Sequence, residues 1–140
     1  MTLVPDFIRF YAVVIVLFSL LYFLCASIPF LFVRLDVPEV ARLFRGLFNA
    51  YFRMVAVTGF VASTIFAISG RPAFMAGTLL LAAGALAMRR WTLQRIDAQQ
   101  EAFQTGDNAA MRRLRMVHWG GMLANIAVVA LVIGSVRYIL

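Results

Sequence analysis

The chain has 140 residues, 64% of them hydrophobic and 14% charged, with a mean hydropathy of +0.91. A soluble domain of this size has too little interior to hide that much apolar surface. A soluble enzyme and a disordered tail are excluded, and the bilayer becomes the expected solvent.

Four apolar stretches lie between charged residues. Phe10 to Val33 holds 24 uncharged residues, Met54 to Gly70 holds 17, Pro72 to Met88 holds 17, and Met116 to Val136 holds 21. A spanning helix needs about 20 residues, within a range of about 17–25. Lipid offers no partner for backbone N–H and C=O, so each stretch must be helical. The expected fold is all-α, an integral membrane four-helix transmembrane bundle with spans at about 8–33, 48–70, 72–90 and 114–136.

The first span is longer than the apolar region of a cleaved signal peptide, and no clear A-x-A site follows it. Pro29 should loosen its last turn. Cys25 within it reads as a small apolar packing residue; a single thiol allows neither an intrachain disulfide nor a multi-cysteine metal site. Asp36-Val37-Pro38-Glu39 reads as the start of helix 2, with Asp36 as N-cap and Glu39 reaching back. Nothing then breaks the helix before Ser69-Gly70-Arg71-Pro72, so about 34 residues should run for ~50 Å. Helix 3 continues past Met88 through Arg89-Arg90-Trp91 to about Gln104. Thr105-Gly106-Asp107-Asn108 makes the next turn, with Asp107 or Asn108 capping helix 4. Helices 2–4 are therefore expected to extend beyond one membrane face.

All 13 basic residues are arginine, and 6 acidic residues leave a net charge of +7. Arg9, Arg71 and Arg137 lie at one end of the predicted spans, and the other 10 lie at the opposite end. The positive-inside rule makes the arginine-rich connections cytoplasmic and both termini periplasmic, in a bacterial inner membrane. This collar belongs beside anionic headgroups and removes the nucleic-acid reading.

Arg42, Arg45, Asn49 and Arg53 fall within an arc of about 80° on helix 2. They read first as a solvated, internally paired face and second as an anion site for lipid phosphate or an acidic partner. The tight turn at Arg71 sets a register that places Arg45 level with Asp97, and Arg42 level with Glu101. The 3–4 turn likewise brings Arg112 to Glu101 and Arg115 to Asp97. At least one Arg–carboxylate contact between helix 3 and helix 2 or 4 is expected. Arg53, Arg89 and Arg90 are left for lipid phosphates or a partner's acidic surface.

His118 is the only histidine, beside Trp119 at the cytoplasmic start of span 4. It reads as an interfacial residue bonded to a backbone carbonyl or headgroup; the alternative is an axial ligand or proton shuttle. No second histidine and no His/Glu/Asp set accompanies it, so no cofactor and no metal is expected. Asn125 is placed near the bilayer midplane, level with Cys25, Ser63, Thr64 and Thr78. A buried amide in lipid must find a partner, and Ser63, Thr64, Thr78 or a backbone carbonyl is expected. Gly120-x₃-Ala124 and Ala130-x₃-Gly134, with Gly77 and Gly84, supply small surfaces for helix packing.

Three segments carry a resemblance: Ile28-Pro29-Phe30-Leu31-Phe32; Ala41-Arg42-Leu43-Phe44 with Leu47-Phe48-Asn49-Ala50-Tyr51-Phe52; and Met116-Val117-His118-Trp119-Gly120-Gly121-Met122-Leu123-Ala124-Asn125. They look like the small four-helix membrane proteins similar to transmembrane protein 205. That family shows a Pro-Phe exit from helix 1, a Phe-x-x-Tyr-Phe-like stretch in helix 2, and a histidine with a nearby Asn in helix 4. Val117 stands where the family usually has Leu. The resemblance implies the four-helix fold and no established catalysis.

The expected role is non-catalytic: an accessory subunit docking laterally on a larger inner-membrane complex of the electron-transfer or photosynthetic kind. The alternative is a transporter or membrane enzyme for a lipophilic substrate such as a quinone, with Asn125 orienting the substrate and His118 at the interface.

Overall fold

A computed structural model of the chain describes residues 5–139. Its elements are α1 (Asp6–Ser27), a 3-10 turn (Ile28–Leu31), α2 (Pro38–Ile68), α3 (Pro72–Gln104) and α4 (Ala110–Ile139). Each of the four helices is long and apolar enough to cross a membrane. Successive helices run antiparallel. One end of the bundle therefore gathers the start of α1, the α2–α3 turn and the end of α4. The other end gathers the 3-10 turn, the start of α2 and the α3–α4 turn.

Pro29 acts where expected: α1 stops at Ser27 and tightens into the 3-10 turn, with Pro29 in its first positions. The start of α2 differs from expectation. Val37, not Asp36, occupies the N-cap, and no side chain caps the helix. Asp36 is drawn off by Arg34, whose Nε and Nη2 donate to its two carboxylate oxygens at 3.1 and 2.7 Å. A fork-on-fork charged bond outweighs a single side-chain cap. Arg34 also holds the Asp36 carboxyl below the usual carboxylate range.

Both interhelical turns use one device. Gly70 has φ +68° and Gly106 has φ +100°, the left-handed region that favours glycine. Around the first, Gly70 N–H donates to Ala67 O and Arg71 N–H to Phe66 O; around the second, Gly106 N–H donates to Phe103 O and Asp107 N–H to Ala102 O. These are Schellman pairs, which satisfy carbonyls that the helix end leaves open. Pro72 then starts α3 at once, where a missing N–H costs nothing. Asp107 Oδ1 accepts from Ala109 N–H at 3.0 Å, a side-chain turn just ahead of α4 rather than a bond to a helical N–H.

α2 is central, packed between α1 and α3, while α4 rests on α1 and more sparsely on α3. The tightest seam is α2–α3. A Cβ on Gly59 would lie 3.0 Å from Ala82 Cβ and 3.1 Å from Thr78 O, so only glycine admits this approach. Ser63 Oγ crosses the same seam to Met75 O at 3.1 Å. The α1–α2 seam carries a hydroxyl pair, Ser19 Oγ to Thr58 Oγ1 at 3.1 Å. Phe23, Phe44, Phe48 and Phe66 are fully buried and fill the interior with Leu20, Ile96 and Leu114. Cys25 does not pack in this core: it is exposed on the outer face of α1.

Candidate functional site

The three segments that carry the sequence resemblance meet at one place. On α4, Leu114, His118, Met122 and Asn125 recur at intervals of three and four and form its buried stripe. His118 is fully buried, against the expectation of an interfacial residue with a carbonyl or headgroup partner. Its ring faces Phe30, Phe44 and Phe48 at centroid separations of 6.5, 5.3 and 6.3 Å, each near perpendicular. Such edge-to-face packing suits the positive ring edge against a π face. Among the described residues neither Nδ1 nor Nε2 has a hydrogen-bond partner, and Ser27 Oγ is also buried without one. Aromatic packing has displaced polar satisfaction here, because α4 turns this face into the phenylalanine layer.

Asn125 is 1% exposed. Its Nδ2 donates to the Tyr51 hydroxyl at 2.7 Å, while Oδ1 has no partner among the described residues. The expected partners are occupied elsewhere: Ser63 bonds Met75 O, Thr64 bonds Phe60 O, and Thr78 bonds Phe74 O. Tyr51 and Asn125 each lie about midway along their helices, with Tyr51 two residues from Arg53. Tyr51 also lies against Phe23, at a centroid distance of 4.3 Å. In the sequence Tyr51 stands only within the Phe-x-x-Tyr-Phe-like stretch, with nothing to pair it with Asn125. Its signal was a phenol within a run of phenylalanines, the one polar tip in that layer.

Tyr51 and Asn125 line a predominantly apolar, partly open cleft of about 720 Å³ between α2, α3 and α4. The gap exists because Gly84 and Ala85 on α3 face Gly120 and Ala124 on α4, and none of these reaches across. Trp91, Arg95 and Arg113 line its arginine-rich end. A second cleft of about 510 Å³ continues towards the other end and shares Leu80, Leu81 and Val128 with the first.

The charged end matches the expected network in part. Arg45 Nε and Nη2 donate to the two oxygens of Asp97 at 2.7 and 3.1 Å, the contact that the hairpin register predicts. Asn49, one turn on, accepts from Arg89 Nε at 2.8 Å, so Arg89 has an amide partner rather than standing free. The other three expected pairings are absent among the described residues. Arg115 turns away from Asp97 and donates to the carbonyls of Phe30 and Val33, because α4 packs against α1 at this height. Those carbonyls end a helix and attract a cation. Glu101, Arg42, Arg112, Arg53 and Arg90 are exposed, and none forms an ion pair among the described residues. Arg113, unremarked in the sequence, is bound instead: it donates to Gln99 Oε1 at 2.7 Å and pairs with Asp107. The Arg113 bond, with the Ala109 N–H, holds the Asp107 carboxyl below its ordinary range.

At the opposite end, Arg71 Nη1 donates to Tyr138 O at 3.1 Å, and Arg9 pairs with Asp6. No three His, Cys, Asp or Glu side chains come together among the described residues in a way that could hold a metal ion. No protein-family model, curated protein or solved structure matches the chain. The likeness to the transmembrane protein 205 family therefore rests on the sequence motifs alone.

Proposed function

We propose that the chain is a non-catalytic multi-pass protein of a bacterial inner membrane, an accessory subunit that docks laterally on a larger complex of the electron-transfer or photosynthetic kind. The observation that carries this reading is the uncovered apolar surface of α3 and α4. Leu80 and Leu131 are each 73% exposed, and Leu79, Leu86, Leu123 and Ile133 stand out beside them. Contiguous apolar surface of this extent marks a membrane or protein contact. In this reading the arginine-rich end is cytoplasmic and both termini are periplasmic, by the charge rule. Helices 2–4 run on past the cytoplasmic surface, with Arg42, Arg53 and Arg90 towards anionic headgroups.

Mass spectrometry of the complex released in mild detergent tests the subunit reading. A fixed stoichiometry with larger membrane proteins is expected, and a chain that runs alone from native membranes overturns it. Topology has its own test: an alkaline phosphatase fused to the C-terminus should be active, and an inactive fusion reverses the orientation.

A second reading, a transporter or enzyme for a lipophilic substrate such as a quinone, is favoured by the cleft that reaches Asn125. It requires turnover or transport by the purified chain alone in liposomes.

A further inference from the structure

We propose that the cleft between α2, α3 and α4 holds one anionic membrane phospholipid, with its phosphate between Arg95 and Arg113 and one acyl chain lying along the cleft. The inference rests on the membrane placement above and not on any docking partner.

Three features of the cleft follow one another in the order in which such a lipid presents its chemistry. At the arginine-rich end stand two guanidinium groups. Arg113 is aimed by Gln99 and Asp107, and Asp107 answers part of its charge. Arg95 lies over the Trp91 ring at 5.2 Å and pairs with no carboxylate among the described residues. Asp97, the nearest acid along α3, is already engaged by Arg45. The mouth thus keeps a net positive charge that an anion complements.

Further in comes the Tyr51–Asn125 pair. The Tyr51 oxygen accepts from Asn125, which leaves its own hydroxyl hydrogen free to donate. An ester linkage below a phosphate brings carbonyl acceptors to this level. Beyond the pair the walls are Leu80, Leu81, Gly84 and Val128, and the second cleft prolongs them. These surfaces suit a chain of CH₂ groups. The volume lies within the range of about 300–1,000 Å³ usual for small-molecule sites. A neutral isoprenoid would use the walls but leave the arginines unanswered.

The experiment uses the full chain with Trp119→Phe, so that Trp91 is the sole indole, reconstituted in neutral phospholipid vesicles. A minor fraction of phospholipid brominated on its acyl chains is added, with an anionic or a neutral headgroup. Bromine quenches an indole that it touches. Excess quenching of Trp91 by the anionic lipid is expected, at a preference of about fivefold for each arginine that meets the phosphate. Arg95→Gln should remove about that factor, and Arg112→Gln, exposed and outside the cleft, should leave it. Gly84→Leu should abolish excess quenching by filling the cleft; a Cβ at Gly84 meets nothing within 4 Å, so the helix tolerates the change.

Equal quenching by both headgroups overturns the proposal, as does an unchanged signal in Gly84→Leu. An equal loss in Arg112→Gln overturns it in favour of a diffuse collar. Displacement of the signal by a neutral quinone, but not by unlabelled anionic lipid, overturns it in favour of the substrate reading. Failure of the chain to enter vesicles at all refutes the membrane placement instead, and is scored before any quenching is read.

Discussion

The two seams of α3 differ in kind. Against α2 it packs at glycine range, with Gly59 seated on Ala82, a hydroxyl bond from Ser63, and the Arg45–Asp97 clasp at the far end. Against α4 it presents equally small residues, yet the two helices stand apart and leave a cleft. Small side chains permit close approach but do not compel it. The α2–α3 turn runs from Gly70 straight into Pro72 and holds the helices together. The α3–α4 turn is longer, from Thr105 to Ala109, and α4 is drawn away from α3 by Arg115 and by Gly121. A Cβ on Gly121 would lie 3.0 Å from Phe48 Cε1 on α2 and 3.4 Å from Phe23 Cζ on α1. One seam is filled by its own residues, and the other is left for something else.

Paired substitutions break this contrast most sharply. Gly59→Leu should destabilise the bundle by about 1–3 kcal/mol or more, because the side chain meets Ala82 and the Thr78 carbonyl. The same change at Gly84 should fall within about 0.5 kcal/mol of the parent. Unfolding in mixed micelles by SDS titration reads both; equal losses would mean that the two seams are alike.

Tyr51→Phe should cost about 1–2 kcal/mol, since it strands the remaining half of the Asn125 amide. Asn125→Leu should cost about 0.5–2 kcal/mol, and the double variant should cost less than the two added together. A strictly additive cycle would show that the bond contributes nothing to holding α4 on α2.

Arg45→Gln should cost only about 0.2–1 kcal/mol, because both partners are half-exposed, and the loss should shrink in high salt. A larger and salt-independent loss would place the clasp out of reach of water.

The smallest effect belongs to Asp107, whose carboxyl is held below its ordinary range by Arg113 and the Ala109 N–H. A lowered folded pKa adds stability that is present above the unfolded value of about 3.9 and is lost as pH falls through the folded value. Amide exchange at Ala109 and Ala110 should therefore quicken only in that acid window, and Asp107→Asn should remove the dependence.

The helices were legible because charge spacing, Pro29, Gly70-Arg71-Pro72 and Gly106 each act locally. The Arg45–Asp97 contact was legible because a short turn transmits register without slack. Arg115 and Asn125 were not. Their partners depend on whether α4 leans on α1 or on α3, and no local signal fixes that choice. His118 misled for a related reason: its neighbours in sequence look interfacial, whereas its neighbours in space are phenylalanines from α2 and the 3-10 turn. The Asp36 cap failed to a competitor two residues away, Arg34, whose pull on a carboxylate the capping pattern does not weigh.

The Arg115 contacts bear on assembly order. A chain made from its N-terminus completes α1 and the 3-10 turn long before α4 exists. Until then the carbonyls of Phe30 and Val33 have no guanidinium to receive, and the phenylalanine layer lacks His118 along its open side. The last helix thus closes the first, like a clasp fastened after the strap is threaded. A chain cut short before Ala110 would leave those two carbonyls without their donor and α1 held by α2 alone.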